Sequence, residues 1–242
     1  MRIEGRNAVL EALRSGVKAR KVQMLRDIKP SKSIDEILHY LQAQNIRAEF
    51  VQRQELDRNS EHNAHQGVII WTAPFEYTPL GQIIDAAVKV SNPLIVVLDH
   101  VTDPGNLGAI VRSAEVFGAV GMVVAKDRAA TVTPAAFKAA AGALSHLPLA
   151  QVTNINRALE RAKEAGFWVA GASEHAEEPA WEADLKGRMV LVMGAEGTGL
   201  SRLVQKNCDL LVKLPQSGKV NSLNVAQAAT ALMYEIRRQT QS

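Results

Sequence analysis

The sequence predicts an α/β protein built on a mostly parallel sheet and preceded by a smaller α/β unit. Three observations carry that prediction. Apolar periodicity alternates along the chain between the helical repeat and the strand repeat. Continuous apolar runs, Leu94-Ile95-Val96-Val97-Leu98 and residues 189–193 among them, have the composition of strands buried on both faces, as parallel strands covered by helices are. Turn and cap residues separate the segments, as in Asp103-Pro104-Gly105-Asn106 and Thr133-Pro134.

In order along the chain, residues 7–14 and 34–43 read as amphipathic helices, and 21–25, 48–52 and 67–72 as short strands. Ala73-Pro74-Phe75-Glu76-Tyr77-Thr78-Pro79-Leu80-Gly81 then breaks every pattern, so a connector is expected over 74–90 between a first domain, 1–73, and a second, 91–242. Beyond it, 94–98 is a buried strand and 103–106 leads into a helix stopped by Gly118. Residues 122–125 are the next strand. Thr133 caps an Ala-rich helix over 134–145, and Asn154 caps another that ends at Gly166. Strands at 167–170, 188–193 and 210–214 and a final helix over 225–238 complete the pattern. No internal repeat or low-complexity tract interrupts it.

The composition excludes several classes. The chain has 242 residues, 47% of them hydrophobic and 22% charged, which fits neither disorder nor a fibrous repeat. No apolar run approaches the roughly 20 residues of a bilayer span, and residues 1–6 have no apolar signal core, so a cytoplasmic protein without a membrane partner is expected. One cysteine, Cys208, forms neither an internal disulfide nor a zinc ribbon, and reads as a small buried apolar residue. The histidines, at 39, 62, 65, 100, 146 and 175, show no metal-ligand spacing, so no metal is assigned. Residues 1–75 hold 12 basic and 9 acidic side chains and the remainder 16 and 16, which puts the whole net charge of +3 in the first third. An ordinary solvated surface carries such a surplus as readily as a nucleic-acid face does.

Three loops follow buried strands, at the carboxyl edge where open α/β sheets bind ligands. The first carries Asn106 and, six residues on, Arg112. Capping alone accounts for Asn106, and a salt bridge is the plain reading of Arg112. The second, Gly194-Ala195-Glu196-Gly197-Thr198-Gly199-Leu200, puts a carboxylate among three glycines. It is neither a phosphate loop nor the dinucleotide fingerprint, and a tight turn would also explain it. The third, 214–226, brings Ser222 and Asn224 together beside Gly218 and Lys219, and one of the pair could simply cap the last helix.

In order and chemistry these loops resemble the three signature motifs of the SpoU-type (TrmH-like) RNA ribose 2′-O-methyltransferases of the knotted SPOUT superfamily. Asn106-Leu107-Gly108-Ala109-Ile110-Val111-Arg112 looks like the first motif, 194–200 like the second and Ser222-Leu223-Asn224 like the third. The similarity covers 92–240. The first third is similar to the small RNA-binding domain that precedes the catalytic domain in many members, and His65-Gln66-Gly67-Val68 resembles the RlmB-like branch, which methylates a guanosine of 23S rRNA. The family commonly has Met where Gln216 stands and Ser where Ala226 stands.

The resemblance implies a trefoil knot formed by 190–226, an exception to the rule that chains do not thread loops. It also implies S-adenosyl-L-methionine (AdoMet) as cofactor, held at Gly194, Leu214 and Leu223, and a homodimer through helices beside the knot. Gly194 would give the ligand room. Catalysis would fall to Asn106, Arg112, Glu196, Ser222 and Asn224. Arg112 would supply fixed positive charge for phosphate and the developing alkoxide, since guanidinium groups are not deprotonated in proteins. Methylation of tRNA or of another rRNA nucleotide, including sites that confer antibiotic resistance, is the neighbouring expectation. A catalytically silent RNA-binding assembly module is the third, and it has no need of all five residues together.

Overall fold

The computed structural model describes residues 1–61, 64–219 and 222–241. His62, Val220 and Asn221 of the readings above lie outside them.

The first part forms a four-stranded sheet flanked by helices. β1 (Arg2–Glu4), α1 (Arg6–Arg14), β2 (Ala19–Leu25), α2 (Lys32–Ala43), β3 (Glu49–Val51), α3 (Arg53–Asn59) and β4 (Val68–Thr72) follow in order. The strands run β1-β4-β2-β3, with β4 antiparallel to both neighbours and β3 parallel to β2. One face packs on α1 and α2 through Ile3, Val22, Val9, Leu13 and Ile37.

The expected connector is not wholly irregular. Residues 80–87 fold as α4 (Leu80–Ala87), whose Ile83, Ile84 and Ala87 are buried against the large sheet. The prolines at 74 and 79 mask this helix in the sequence, because its single apolar stripe spans only two turns.

The second sheet is built from β5 (Leu94–Asp99), β6 (Gly121–Ala125), β7 (Leu149–Val152), β8 (Trp168–Ala172), β9 (Glu178–Pro179), β10 (Met189–Gly194) and β11 (Leu210–Lys213). The order is β7-β6-β5-β10-β8-β11-β9, and every pairing is parallel. Leu94, Val96 and Leu98 face α5 (Pro104–Val116), α6 (Pro134–Ala140) and α9 (Val225–Thr240); Ile95 and Val97 face α4, α7 (Ile155–Glu164) and α8 (Arg202–Asn207). Burial on both faces is why these strands lack polar alternation.

Capping follows side-chain chemistry. Thr133 Oγ1 accepts from the Ala136 N–H, and Asn154 Oδ1 from the Arg157 N–H. The Ala-rich helix ends earlier than its composition suggests, at Ala140, because Ala141 and Gly142 both take left-handed backbone (φ 47° and 95°) before a single 3-10 turn at 143–145. No described helix is long and apolar enough to cross a membrane.

Sheet order places the chemistry. The chain runs outward from β5 through β6 and β7, then returns to put β10 on the other side of β5, in register Gly194 opposite Asp99. The loops after β5, β10 and β11 therefore leave the same carboxyl edge around this switch point, where open α/β sheets bind ligands.

Candidate active site

Asp99, the last residue of β5, is 1% exposed. Its Oδ2 accepts from the Ser201 N–H at 2.7 Å and its Oδ1 pairs with His100 Nδ1 at 2.6 Å. A buried carboxylate needs such partners. The effect here is to fasten the loop after β10 to the end of β5. Neither Asp99 nor His100 stands out in the sequence, although a carboxylate closing an otherwise apolar strand was the available signal.

The loop after β10 closes on itself. Ala195 and Gly199 exchange two backbone hydrogen bonds of 3.0 and 2.9 Å, with Gly197 and Gly199 at positive φ. The requirement at Gly194 is steric: a Cβ there would lie 2.2 Å from the Gly199 carbonyl carbon and 2.3 Å from the Leu200 nitrogen. The loop folds back over its own strand. Room for a ligand is thus not what Gly194 itself supplies; its lack of a side chain lets the cleft wall form.

Asn106 does not cap α5, contrary to the plain reading. Asp103 is the cap, its Oδ2 accepting from the Asn106 N–H at 2.7 Å, which frees the Asn106 side chain to reach outward from the first turn. Asn106 Nδ2 donates to Glu196 Oε1. Asn224 Nδ2 donates to Asn106 Oδ1 at 2.9 Å and lies 3.1 Å from Glu196 Oε1. Asn224 also caps α9, its Oδ1 accepting from the Ala226 and Gln227 N–H groups. One amide side chain from each outer loop and one carboxylate from the middle loop thereby close a three-membered network across residues up to 118 apart in sequence.

Beside this network lies a cleft of about 500 Å³, lined by Gly194, Glu196, Leu214, Ser222, Leu223 and Asn224 among others. Leu223 is 49% exposed at its rim. Gln216 also lines it, and Ala226 is buried at the start of α9. Six sequence-derived site residues are thus cleft residues, and Asn106 joins them through the network.

Arg112 does not. It lies six residues beyond Asn106 on α5, about 9 Å further along the axis and about a third of a turn off its face. It is exposed, makes no hydrogen bond or ion pair among the described residues, and is not part of the cleft lining. The salt bridge expected on plain grounds is also absent there. Val116, one turn beyond Arg112 on α5, is 68% exposed, and Tyr234 of α9, edge-on to Phe117, is 58% exposed.

Cys208 is half-buried, donates to the Val204 carbonyl at 3.2 Å, and burial pushes its thiol up to about 12, which makes it a packing residue without nucleophilic character. Among the described residues no three His, Cys, Asp or Glu side chains are grouped to hold a metal.

Comparison with known proteins shows the family. Residues 93–234 match the family model described as "SpoU rRNA Methylase family", and residues 2–78 the model for "RNA 2'-O ribose methyltransferase substrate binding". The chain is 41% identical over 235 residues to a Bacillus subtilis protein named for the TrmH family of tRNA/rRNA methyltransferases, an alignment spanning 97% of this chain and 94% of that one. It is 38% identical over 241 residues to the 23S rRNA (guanosine-2'-O-)-methyltransferase RlmB of Pseudomonas putida, spanning 99% and 97%. Among solved structures, the SpoU methyltransferase AviRb of Streptomyces viridochromogenes in complex with AdoMet superposes with a TM-score of 0.74 at 28% identity, covering 99% of this chain and 89% of that one.

Proposed function

The chain belongs to the SpoU rRNA methylase family of RNA 2′-O-ribose methyltransferases, and we propose that it methylates the 2′-hydroxyl of a guanosine in 23S rRNA. The observation that carries the assignment of the site is the Asn106–Glu196–Asn224 network, which joins all three loops at the mouth of one cleft. The rRNA guanosine is supported by similarity over 99% of the chain to an enzyme named for that activity.

The cleft fits AdoMet. A volume of about 500 Å³ is in the range of sites for ligands of that size. Leu214 and Leu223 offer apolar walls for the adenine, and the glycine-rich turn at 194–199 offers backbone groups rather than side chains. AdoMet supplies an electrophilic methyl group on a sulfonium. The residues around it must hold the ribose oxygen in line with that group and stabilise the negative charge that grows on the oxygen. Asn106 and Asn224 orient the Glu196 carboxylate, Ser222 and Asn224 bind ribose or phosphate, and Arg112 gives fixed positive charge to the alkoxide and the neighbouring phosphate. Arg112 stands outside its own cleft, one turn from exposed Val116 on α5, and the neighbouring α9 exposes Tyr234. This agrees with a homodimer packed through α5 and α9 that brings the guanidinium to the RNA. The first unit, 1–73, binds RNA, 91–242 carries the reaction, and 190–226 forms the knot. A cytoplasmic location accords with the proposed activity on rRNA.

The test is methyl transfer from labelled AdoMet to 23S rRNA, 16S rRNA and tRNA taken from cells lacking the gene, with the modified ribose mapped. Label at a 23S guanosine supports the reading. Label in tRNA alone moves the substrate, and none in any RNA refutes the activity.

A further inference from the structure

We propose that a second cleft, in the small first unit, docks one unpaired nucleotide of the RNA substrate, with its phosphate on a cationic rim and its base on an apolar floor. This rests on the reading that the chain acts on RNA. The cleft has a volume of about 690 Å³ and lies between the start of α1, the segment after β2, the start of α3 and the turn at 64–67. Arg6, Lys29 and Arg53 line it against one carboxylate, Asp27, while Leu25 and Ile28 supply apolar surface.

The three cations are not consumed by the fold. The Arg6 guanidinium is held by two hydrogen bonds, Nε donating to the Gln66 carbonyl at 3.0 Å and Nη1 to Ser31 Oγ at 3.4 Å, and its Nη2 has no partner among the described residues. Lys29 makes no ion pair or hydrogen bond there. Arg53 approaches Asp57 Oδ2 only at 3.9 Å, and the other oxygen of that carboxylate already accepts from His65 Nε2 at 2.7 Å. A planar guanidinium that is already oriented, beside two exposed cations, is suited to a phosphate.

The wall of the cleft is built rather than incidental. His65 is 6% exposed; its Nδ1 accepts from the Gly67 N–H at 2.9 Å while Nε2 donates to Asp57, which fixes the ring's tautomer and pins the turn. Gln66 and Gly67 both take positive φ, 48° and 88°, and a Cβ on Gly67 would lie 2.9 Å from Ile28 Cδ1. Ile28 therefore rests directly on the turn. A concave site of this size with a fixed apolar floor suits a base splayed out of a single strand, whereas a duplex hides its bases and offers a rim like this its phosphates alone.

The test uses the full chain and a single-stranded RNA of about 12 nucleotides carrying one 4-thiouridine, alone and annealed to its complement. Photocrosslinking is expected to map to 25–29 or 64–67. Neutralising the rim (R6Q/K29Q/R53Q) is expected to weaken single-strand binding at least tenfold. It should also reduce the slope of log K against log salt by about 0.7, the share of the one phosphate no longer neutralised. Neutralising three exposed cations elsewhere in the unit (K18Q/R20Q/R47Q) should do neither. Lys29→Glu, at an exposed position, gives the same sign if the triple variant does not fold. In methyl transfer the rim variant should raise KM with kcat unchanged, as loss of remote uniform binding does. Crosslinks confined to other segments, equal weakening by the control variant, or equal weakening of duplex and single-strand binding would each overturn the site. Its failure is separable from that of the proposed function. RNA crosslinked in the cleft by a protein that transfers no methyl refutes only the activity, and methyl transfer indifferent to the rim refutes only the site.

Discussion

Asn224 does two things at once, and substitutions can pull them apart. Its Oδ1 caps α9 while its Nδ2 bonds Asn106 and Glu196. Asn224→Ala removes both, and loss of the cap costs about 1 kcal/mol. In a chain of this length that lowers Tm by about 2–4 °C. Asn224→Asp keeps a good capping oxygen but places a carboxylate 3.1 Å from Glu196 Oε1. Two unit charges at that separation repel by about 1.3 kcal/mol in a water-like medium and about 5 at an effective dielectric of 20. Both side chains are exposed, so the lower figure applies, equivalent to about a tenfold tighter hold on one shared proton. Asn224→Asp should therefore melt close to the wild type yet lose about 100-fold in methyl transfer near pH 7.5, the usual cost of an ångström of misplacement. Once the pH is low enough for the two facing carboxylates to hold a proton between them, the donor to Glu196 is restored, and the ratio of variant to wild-type rate should rise. Melting scans and single-turnover methylation across pH read both quantities. Wild-type turnover by Asn224→Asp at pH 7.5, or a flat rate ratio with pH, would refute the network as the element that organises the site.

Gly194→Ala puts a methyl into the backbone of Gly199 and Leu200, so AdoMet binding measured by calorimetry should be lost together with about 1–3 kcal/mol of stability from overpacking. Arg112→Ala, by contrast, touches no cleft residue: AdoMet affinity should stay near wild type while turnover falls about 100- to 1000-fold, and a normal rate would make Arg112 structural. Truncation should be sensitive to where it begins. A fragment starting at 91 loses α4, whose Ile83 and Ile84 account for about 3–6 kcal/mol of burial, whereas one starting at 76 keeps it. Denaturant unfolding that finds the two fragments equally stable would contradict the packing of α4. Both should bind RNA more weakly, and with a shallower salt dependence, than the full chain.

The parts of the fold legible in the sequence were those whose local chemistry and tertiary role coincide. Residues 94–98 and 188–193 read as buried strands because burial on both faces writes itself as an unbroken apolar run, and Thr133 and Asn154 read as caps because the capping oxygen acts within three residues. The elements that escaped notice, β1, α3, α4, β7, α8 and β9, are two to eight residues long. None can carry a repeat of its own, and each exists because a neighbour pairs with it or covers it, as β7 is held by β6 and β1 by β4. The Ala-rich run after Pro134 failed for the opposite reason: helix propensity continues through 145, but left-handed backbone at 141 and 142 overrides it.

The residues that line the cleft were legible as a set and not as an arrangement. Spacing along α5 makes Asn106 and Arg112 look like members of one constellation, yet a helix turns about 100° per residue, so six residues leave them on different faces. Asn106 faces Glu196 only because Asp103 takes the capping role and the β5–β10 register brings Gly194 level with Asp99. The glycines mislead in a similar way. Gly194 looks like an opening for a ligand, but a Cβ there strikes its own loop, and a Cβ at Gly108 would likewise sit 2.3 Å from the Ala136 carbonyl oxygen, where α5 crosses α6. In both places the missing side chain allows backbone to meet backbone. The cleft is what remains once those backbone approaches have fixed the walls, which is why glycine content marks the turn that lines it while saying nothing about which atoms a ligand would touch.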